Sequence, residues 1–121
     1  DIFYKSIESN NYLKYLWSKF KIRKSYQSTK ALLNQYDLDA FIGLTRGPAW
    51  KINYDGGDYI AMNESLQFGS GGFAAHNGMP HITIPYFEIN SFPVGISIIG
   101  DRWSDKAIIE YASAIEKSRY N

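Results

Sequence analysis

The feature that most constrains the fold is a short, uninterrupted apolar run, Ala40–Leu44. A run of this length, bounded by polar residues, is typical of a strand buried on both faces, and such a strand needs neighbours on both edges. The sequence offers only two further strands, predicted at His81–Pro85 and at Pro93–Gly100. We therefore expect the sheet to leave an apolar face exposed.

Helices are predicted before, between and after these strands. Residues 9–36 contain no Pro or Gly and carry apolar residues at helical spacing, so they predict one long helix with an N-cap among Ser9, Asn10 and Asn11. Residues 51–68 are expected to be irregular, and a short helix is predicted at Phe73–His76.

A last helix is predicted after an N-cap at Ser104. The resulting order, α-β-α-β-β-α, predicts an α/β fold with a mixed β-sheet flanked by helices. We find no linker or repeat, so residues 1–121 are expected to form a single segment with no internal boundary.

Charge is distributed unevenly along the chain. Residues 1–36 hold seven basic and two acidic groups, whereas residues 37–121 hold six basic and ten acidic groups. A basic helix can contact nucleic acid or anionic lipid. Because the basic residues are dispersed, we favour a solvated helix face, and we keep a standalone interaction or scaffold domain as the alternative.

Several classes of protein are excluded by composition. The chain has no cysteine, which excludes a disulfide framework and a thiolate zinc site. No apolar run approaches the roughly 20 residues that span a bilayer, so no membrane partner is expected. The sequence begins with Asp1 and shows no signal peptide, so a cytoplasmic location and either processing or truncation are expected.

Three segments carry a resemblance to a known family. Leu38–Trp50 resembles the "LDALxxPT" strand and Gly-Pro-Ala loop of amidase signature enzymes, although Leu44 stands where that family often has Pro. Gly78–Pro85 resembles its "GYPxITVP" strand, and Phe92–Gly100 resembles its "LPVGLQLVG" strand before a terminal helix. The three occur in the family's order, so the chain resembles the C-terminal portion of an amidase signature enzyme.

The resemblance implies an enzyme that hydrolyses the C–N bond of a small-molecule carboxylic amide without cofactor or metal. Family members use a Ser–cis-Ser–Lys arrangement that lies upstream of the matched part. The resemblance therefore implies no catalytic residue in this chain, which is expected to be inactive alone. Its expected partners are the missing N-terminal part of the same enzyme and, through the exposed sheet edge, a second copy. A fragment of an amidotransferase subunit is the related alternative.

One segment superficially resembles the family's nucleophile loop. Phe68–Ala75 contains glycines around Ser70, but it follows rather than precedes the strand at Ala40–Leu44, and it has one serine instead of two. We therefore do not assign Ser70 as the nucleophile. The glycines are expected to let a loop pass closely against a neighbouring element.

The loop Thr45–Trp50 is the best candidate for a functional segment. It leaves the C-terminal end of a predicted strand, where α/β sheets place ligand contacts. We expect Arg46 and Trp50 to help form the substrate pocket. The alternative is that Trp50 anchors the core and Arg46 pairs with a carboxylate.

Metal and nucleotide sites have little support. His76 and His81 lack a third ligand at a recognisable spacing, so no metal site is expected. A Ser70/His76/Asp triad has no support from spacing. Asp55 and Asp58 predict a turn rather than a calcium loop, and the glycines match no nucleotide-binding motif.

Overall fold

The computed structural model describes residues 11–63 and 68–119, and its elements follow the predicted order. In chain order they are helix α1 (Tyr12–Gln35), strand β1 (Ala40–Leu44), helices α2 (Gly57–Asn63) and α3 (Gly71–Asn77), strands β2 (His81–Ile89) and β3 (Phe92–Gly100), and helix α4 (Asp105–Ser118). The α/β class is confirmed. Helix α2 lies where irregular structure was expected.

The three strands form one sheet in the order β1-β3-β2. Both pairings are antiparallel, so within residues 11–63 and 68–119 the sheet lacks the parallel pair that a mixed sheet would contain. Asn90 and Ser91 join β2 to β3 with φ angles of 52° and 65°. Left-handed residues at both positions suit the twist of a two-residue hairpin.

Strand β1 lies at an edge of this sheet. Its expected burial on both faces is wrong, because Ile42 is 63% exposed and Leu44 is 41% exposed. Only β3 pairs with β1 among the described residues, so the other edge of β1 has no strand beside it. The expected exposed apolar surface is therefore present.

Helices cover both faces of the sheet. Helix α4 packs on one face, where its Ile108 and Ala112 form a buried cluster with Ile84, Ile96 and Ile98. On the opposite face, a second buried cluster joins the strands to α1 and α3 through Leu33, Ala74, Met79 and Ile99. Because side chains alternate along a strand, Ser97 shares this second face with Ile99.

Helix α1 meets the rest of the fold only near its C-terminal end. Asn11 is the N-cap, its side chain accepting a hydrogen bond from Lys14 N at 3.0 Å, whereas Ser9 and Asn10 lie outside the described residues. Only Thr29 and Leu33 are buried along the helix. The predicted apolar stripe nearer its start stays exposed.

A polar cluster ties α1 to the β3–α4 connection and to α3. The Asp101 carboxylate accepts a hydrogen bond from Tyr26 Oη at 2.8 Å and forms an ion pair with Lys30. The Arg102 guanidinium lies 3.7 Å from the centroid of the Tyr26 ring and donates two hydrogen bonds to Asn77 O, at 2.9 and 2.7 Å. Arg102 thereby joins all three segments.

The same cluster shifts the pKa values of its members. Partial burial would raise the pKa of Asp101, but the hydrogen bonds from Lys30, Tyr26 and Arg102 N, with the charge of Lys30, outweigh it and hold the pKa below its ordinary value. The hydrogen bond to Asp101 raises the pKa of both Lys30 and Tyr26.

None of the described helices has the length and apolar character needed to cross a membrane.

Candidate functional site

An open cleft of about 430 Å³ lies at the C-terminal end of β1. One wall is the loop that follows β1, the other is the glycine-rich segment before α3, and the first residue of β2 completes the lining. The lining residues are Thr45, Arg46, Phe68, Gly69, Gly71, Gly72 and His81.

Main-chain hydrogen bonds hold the two walls together. Thr45 N donates to Gly95 O at 2.9 Å, which continues the β1–β3 pairing beyond the end of β1. Arg46 then pairs with Gly69 as an isolated antiparallel bridge, and Ser70 N donates to Thr45 O at 3.0 Å. The glycine-rich segment thus runs alongside the loop, as predicted.

The glycines do more to open the cleft than to allow a close approach. A Cβ atom at Gly69 would lie 3.6 Å from Thr45 O, and one at Gly71 would lie 3.8 Å from His81 Cε1. A Cβ atom at Gly72 would meet nothing within 4 Å. Since these are ordinary contact distances or open space, the glycines mainly remove side chains from the cleft wall.

A buried hydroxyl network lies beneath the cleft, centred on Ser97, which is fully inaccessible to solvent. Ser97 Oγ donates to Thr45 Oγ1 at 2.8 Å and accepts from Ser70 Oγ at 2.8 Å. His81 Nε2 lies 2.6 Å from the same oxygen. Ser97 therefore joins three segments of the cleft through one atom.

His81 is held at the inner side of the cleft by this network. Its Nε2 is engaged by Ser97, with Thr83 Oγ1 a further 3.5 Å contact. The ring lies beside Gly71, where a Cβ atom would be 3.9 Å from His81 Nδ1. Nδ1 is consequently the ring nitrogen left for contacts on the cleft side.

The two predicted pocket residues lie together. The Arg46 guanidinium carbon is 5.1 Å from the centroid of the Trp50 ring, a cation–π arrangement. Arg46 is exposed and Trp50 is half-buried. No carboxylate of the described segments forms an ion pair with Arg46. Their role in substrate selection stays a prediction.

Ser70 has its hydroxyl directed into the fold. Besides Ser97 Oγ, its acceptors are Leu44 O at 3.1 Å and Thr45 O at 3.3 Å. No lysine is among the partners found for Ser70 in the described part of the chain. That this chain supplies no catalytic residue stays a prediction.

The remaining candidates are occupied elsewhere. His76 Nδ1 contacts Gly72 O at 2.6 Å, while His81 contacts Ser97. No group of three side chains suited to a metal ion occurs within 11–63 and 68–119. Asn53 Oδ1 accepts hydrogen bonds from Asp55 N and Gly56 N, as expected of a turn.

The sequence analysis missed Ser97 and its partners. One signal was present, because Ser97 is a polar residue within the otherwise apolar run Val94–Ile99. The cross-strand pairing of Ser97 with Thr83 adds a second hydroxyl on the same face. That pairing depends on the strand register, which the sequence leaves open.

Fold and site together define an α/β protein whose cleft opens at the C-terminal end of a strand, the usual position of ligand sites in α/β enzymes. No family model matches the chain. A segment of 45 residues is 44% identical to a subunit of the glutamyl-tRNA(Gln) amidotransferase from Thermotoga maritima, which covers 36% of this chain and 10% of that protein.

Two solved structures extend the match to most of the chain. The peptide amidase from Stenotrophomonas maltophilia matches with a TM-score of 0.67 and 28% identity over 84% of this chain and 19% of its own. The structure of the same T. maritima amidotransferase subunit matches with a TM-score of 0.63 and 27% identity over 96% and 25%. In sequence and in fold, the chain corresponds to the C-terminal portion of an amidase signature enzyme.

Proposed function

We propose that the chain is the C-terminal part of an amidase that hydrolyses carboxylic amide C–N bonds with water, without cofactor or metal. The observation that carries the proposal is the agreement in fold with peptide amidase over 84% of the chain, at 28% identity. The chain spans about a fifth of that enzyme's length. In this proposal the Ser–cis-Ser–Lys residues belong to the part that the chain does not match.

The proposed division of labour assigns binding to this chain and bond cleavage to the rest of the enzyme. The nucleophile attacks the amide carbonyl and backbone N–H groups stabilise the oxyanion that forms. The cleft between the Thr45–Trp50 loop and the glycine-rich segment would hold the substrate for that attack. Because the Ser70 hydroxyl is turned toward Ser97, a nucleophilic role for it has no support.

Ammonia release from simple amides tests this proposal. We expect no turnover from the 121-residue chain and turnover from the longer protein that contains it. Ser70→Ala should leave the turnover of the longer protein largely unchanged. Turnover by the purified chain that Ser70→Ala abolishes would contradict the proposal.

The pocket role of Arg46 and Trp50 needs its own test. Trp50→Ala in the longer enzyme should change the ranking of kcat/KM among amides of different acyl groups. Trp103→Ala is the matched control, because Trp103 is 94% exposed and is not among the cleft residues. If Trp50→Ala lowers stability but preserves the ranking, Trp50 anchors the core instead.

An amidotransferase subunit is the second candidate, and the segment that is 44% identical to the T. maritima protein favours it. Such a subunit passes ammonia from the hydrolysed amide to a partner protein. Its glutaminase activity should rise when the other subunits are added, whereas a simple amidase should gain nothing.

The free edge of β1 supports a further part of the proposal. With its unpaired edge and exposed Ile42 and Leu44, the isolated chain is expected to self-associate. We propose that the 121 residues form a single unit, testable by a single unfolding transition. Lack of cysteine accords with the cytoplasmic location that we propose, which cell fractionation tests. We expect no nucleic-acid or membrane partner.

A further inference from the structure

The charges at the cleft are one-sided. Arg46 contributes a full positive charge, and His81 and Thr45 contribute polar groups able to donate hydrogen bonds. No Asp or Glu is among the lining residues of the described chain. A concave surface with one sign of charge raises the local concentration of the opposite sign. The cleft is therefore suited to an anionic group.

Arg46 is presented in a way that favours a carboxylate. Its backbone is fixed by the bridge to Gly69, and its guanidinium lies beside the Trp50 ring. A contact with an aromatic face leaves the N–H groups of the guanidinium edge free. That planar edge matches the two oxygens of a carboxylate, which it binds through two parallel hydrogen bonds.

His81 provides a second point of contact in the same cleft. Its Nε2 is held at 2.6 Å by the buried Ser97 hydroxyl, so the ring has a fixed position. Nδ1 remains for a ligand on the side of Gly71. Since Gly71 and Gly72 have no side chains, the space in front of the ring stays open.

We propose that this cleft binds the carboxylate of its ligand, with Arg46 as the ion-pair partner and His81 Nδ1 as a second hydrogen-bonding group. The inference rests on the proposed function in that the ligand is an amide substrate, and it adds the substrate class. The preferred substrate carries a carboxylate a few bonds from the amide that is cleaved.

Two small probes of nearly equal size test the binding site directly. Succinamate carries one carboxylate and one amide, whereas succinamide carries two amides and no charge. Each is titrated at low salt into the ¹⁵N-labelled 121-residue chain while the side-chain signals of Arg46 and His81 are followed by NMR. We expect succinamate to bind at least about tenfold more tightly than succinamide, because a charge-assisted contact is roughly twice as strong as a neutral one. Added salt should weaken only succinamate.

Variants assign the effect to the cleft. Arg46→Gln should reduce succinamate binding by about tenfold or more, while Arg46→Lys should retain part of it by keeping the charge. Arg23→Gln on the exposed face of α1 removes the same charge elsewhere and should change nothing. Unchanged signals outside the cleft show that each variant is folded.

The proposal is overturned if the two probes bind equally, if neither binds at about 100 mM, or if Arg46→Gln leaves succinamate binding intact. These outcomes leave the proposed function standing, because they measure binding and not turnover. Conversely, a longer enzyme without amidase activity would overturn the proposed function while leaving the carboxylate site of this chain intact.

Discussion

Replacing Ser97 with alanine would remove a hydroxyl that no water molecule can replace. Ser97 is completely inaccessible to solvent, and its oxygen contacts three side chains from three segments: Ser70, Thr45 and His81. Ser97→Ala leaves the packing volume almost unchanged. The cost therefore reports on the hydrogen-bond network and not on a cavity.

The size of the cost follows from what each partner retains. Ser70 keeps Leu44 O at 3.1 Å as an acceptor, and Thr45 Oγ1 keeps Thr83 Oγ1 at 3.3 Å. His81 Nε2 keeps only the 3.5 Å contact with Thr83, so it is left nearly unpaired. One buried unsatisfied group costs about 1–3 kcal/mol. We expect Ser97→Ala to lower the free energy of unfolding by about 2 kcal/mol.

Urea unfolding at neutral pH, followed by circular dichroism, measures this difference. Ser28→Ala is the matched control, since the Ser28 hydroxyl is exposed and bonds only to Lys24 O of its own helix. That control should stay within about 0.5 kcal/mol of the parent chain. A loss below about 0.5 kcal/mol for Ser97→Ala would refute the reasoning, because the network would then add nothing to stability.

Three further predictions concern the sheet and the polar cluster. Asp101→Asn should lower stability at neutral pH, and the difference from the parent should vanish as the pH falls below about 4, because a carboxylate with a lowered pKa stabilises only while it is ionised; a constant difference in urea unfolding from pH 7 to pH 3 would contradict this. Gly100→Ala should cost about 1–3 kcal/mol, because its Cβ would lie 2.2 Å from Ser104 Oγ and 2.5 Å from Ile108 Cγ2. Gly43→Ala, where a Cβ meets nothing within 4 Å, is its control, and equal thermal shifts for the two would contradict the packing argument. Ile42→Lys should reduce self-association of the chain in sedimentation velocity without loss of stability, because Ile42 is 63% exposed on the edge strand; unchanged association would place the contact elsewhere.

Local patterns were enough to predict the elements. The period of the apolar residues located α1, α4 and the strands, and Gly78, with a φ of 61°, ends α3 as the Asn-Gly pair indicated. The same reasoning overestimated the burial of Ala40–Leu44. An apolar run records what a strand can pack against, whereas burial depends on neighbours that lie elsewhere in the sequence or beyond the described residues.

The candidate site was predictable only in part. Arg46 and Trp50 were found because they occupy a loop directly after a strand, which is a local feature. Ser97 and His81 were not connected, because their contact depends on how β2 pairs with β3. A shift of that register by one residue would turn Ser97 to the α4 face and His81 away from it. Such information lies in tertiary pairing and not in any one segment.

The position of Ser97 separates binding from catalysis in the proposed enzyme. Its one oxygen fixes the loop after β1 through Thr45, the segment before α3 through Ser70, and the start of β2 through His81. All three are held by residues of this chain, so the shape of the cleft does not depend on the part that supplies the proposed nucleophile. The 121-residue chain should therefore bind a carboxylate without cleaving an amide. Loss of Ser97 should loosen that binding even where Arg46 is intact, because the two walls would no longer share a buried partner.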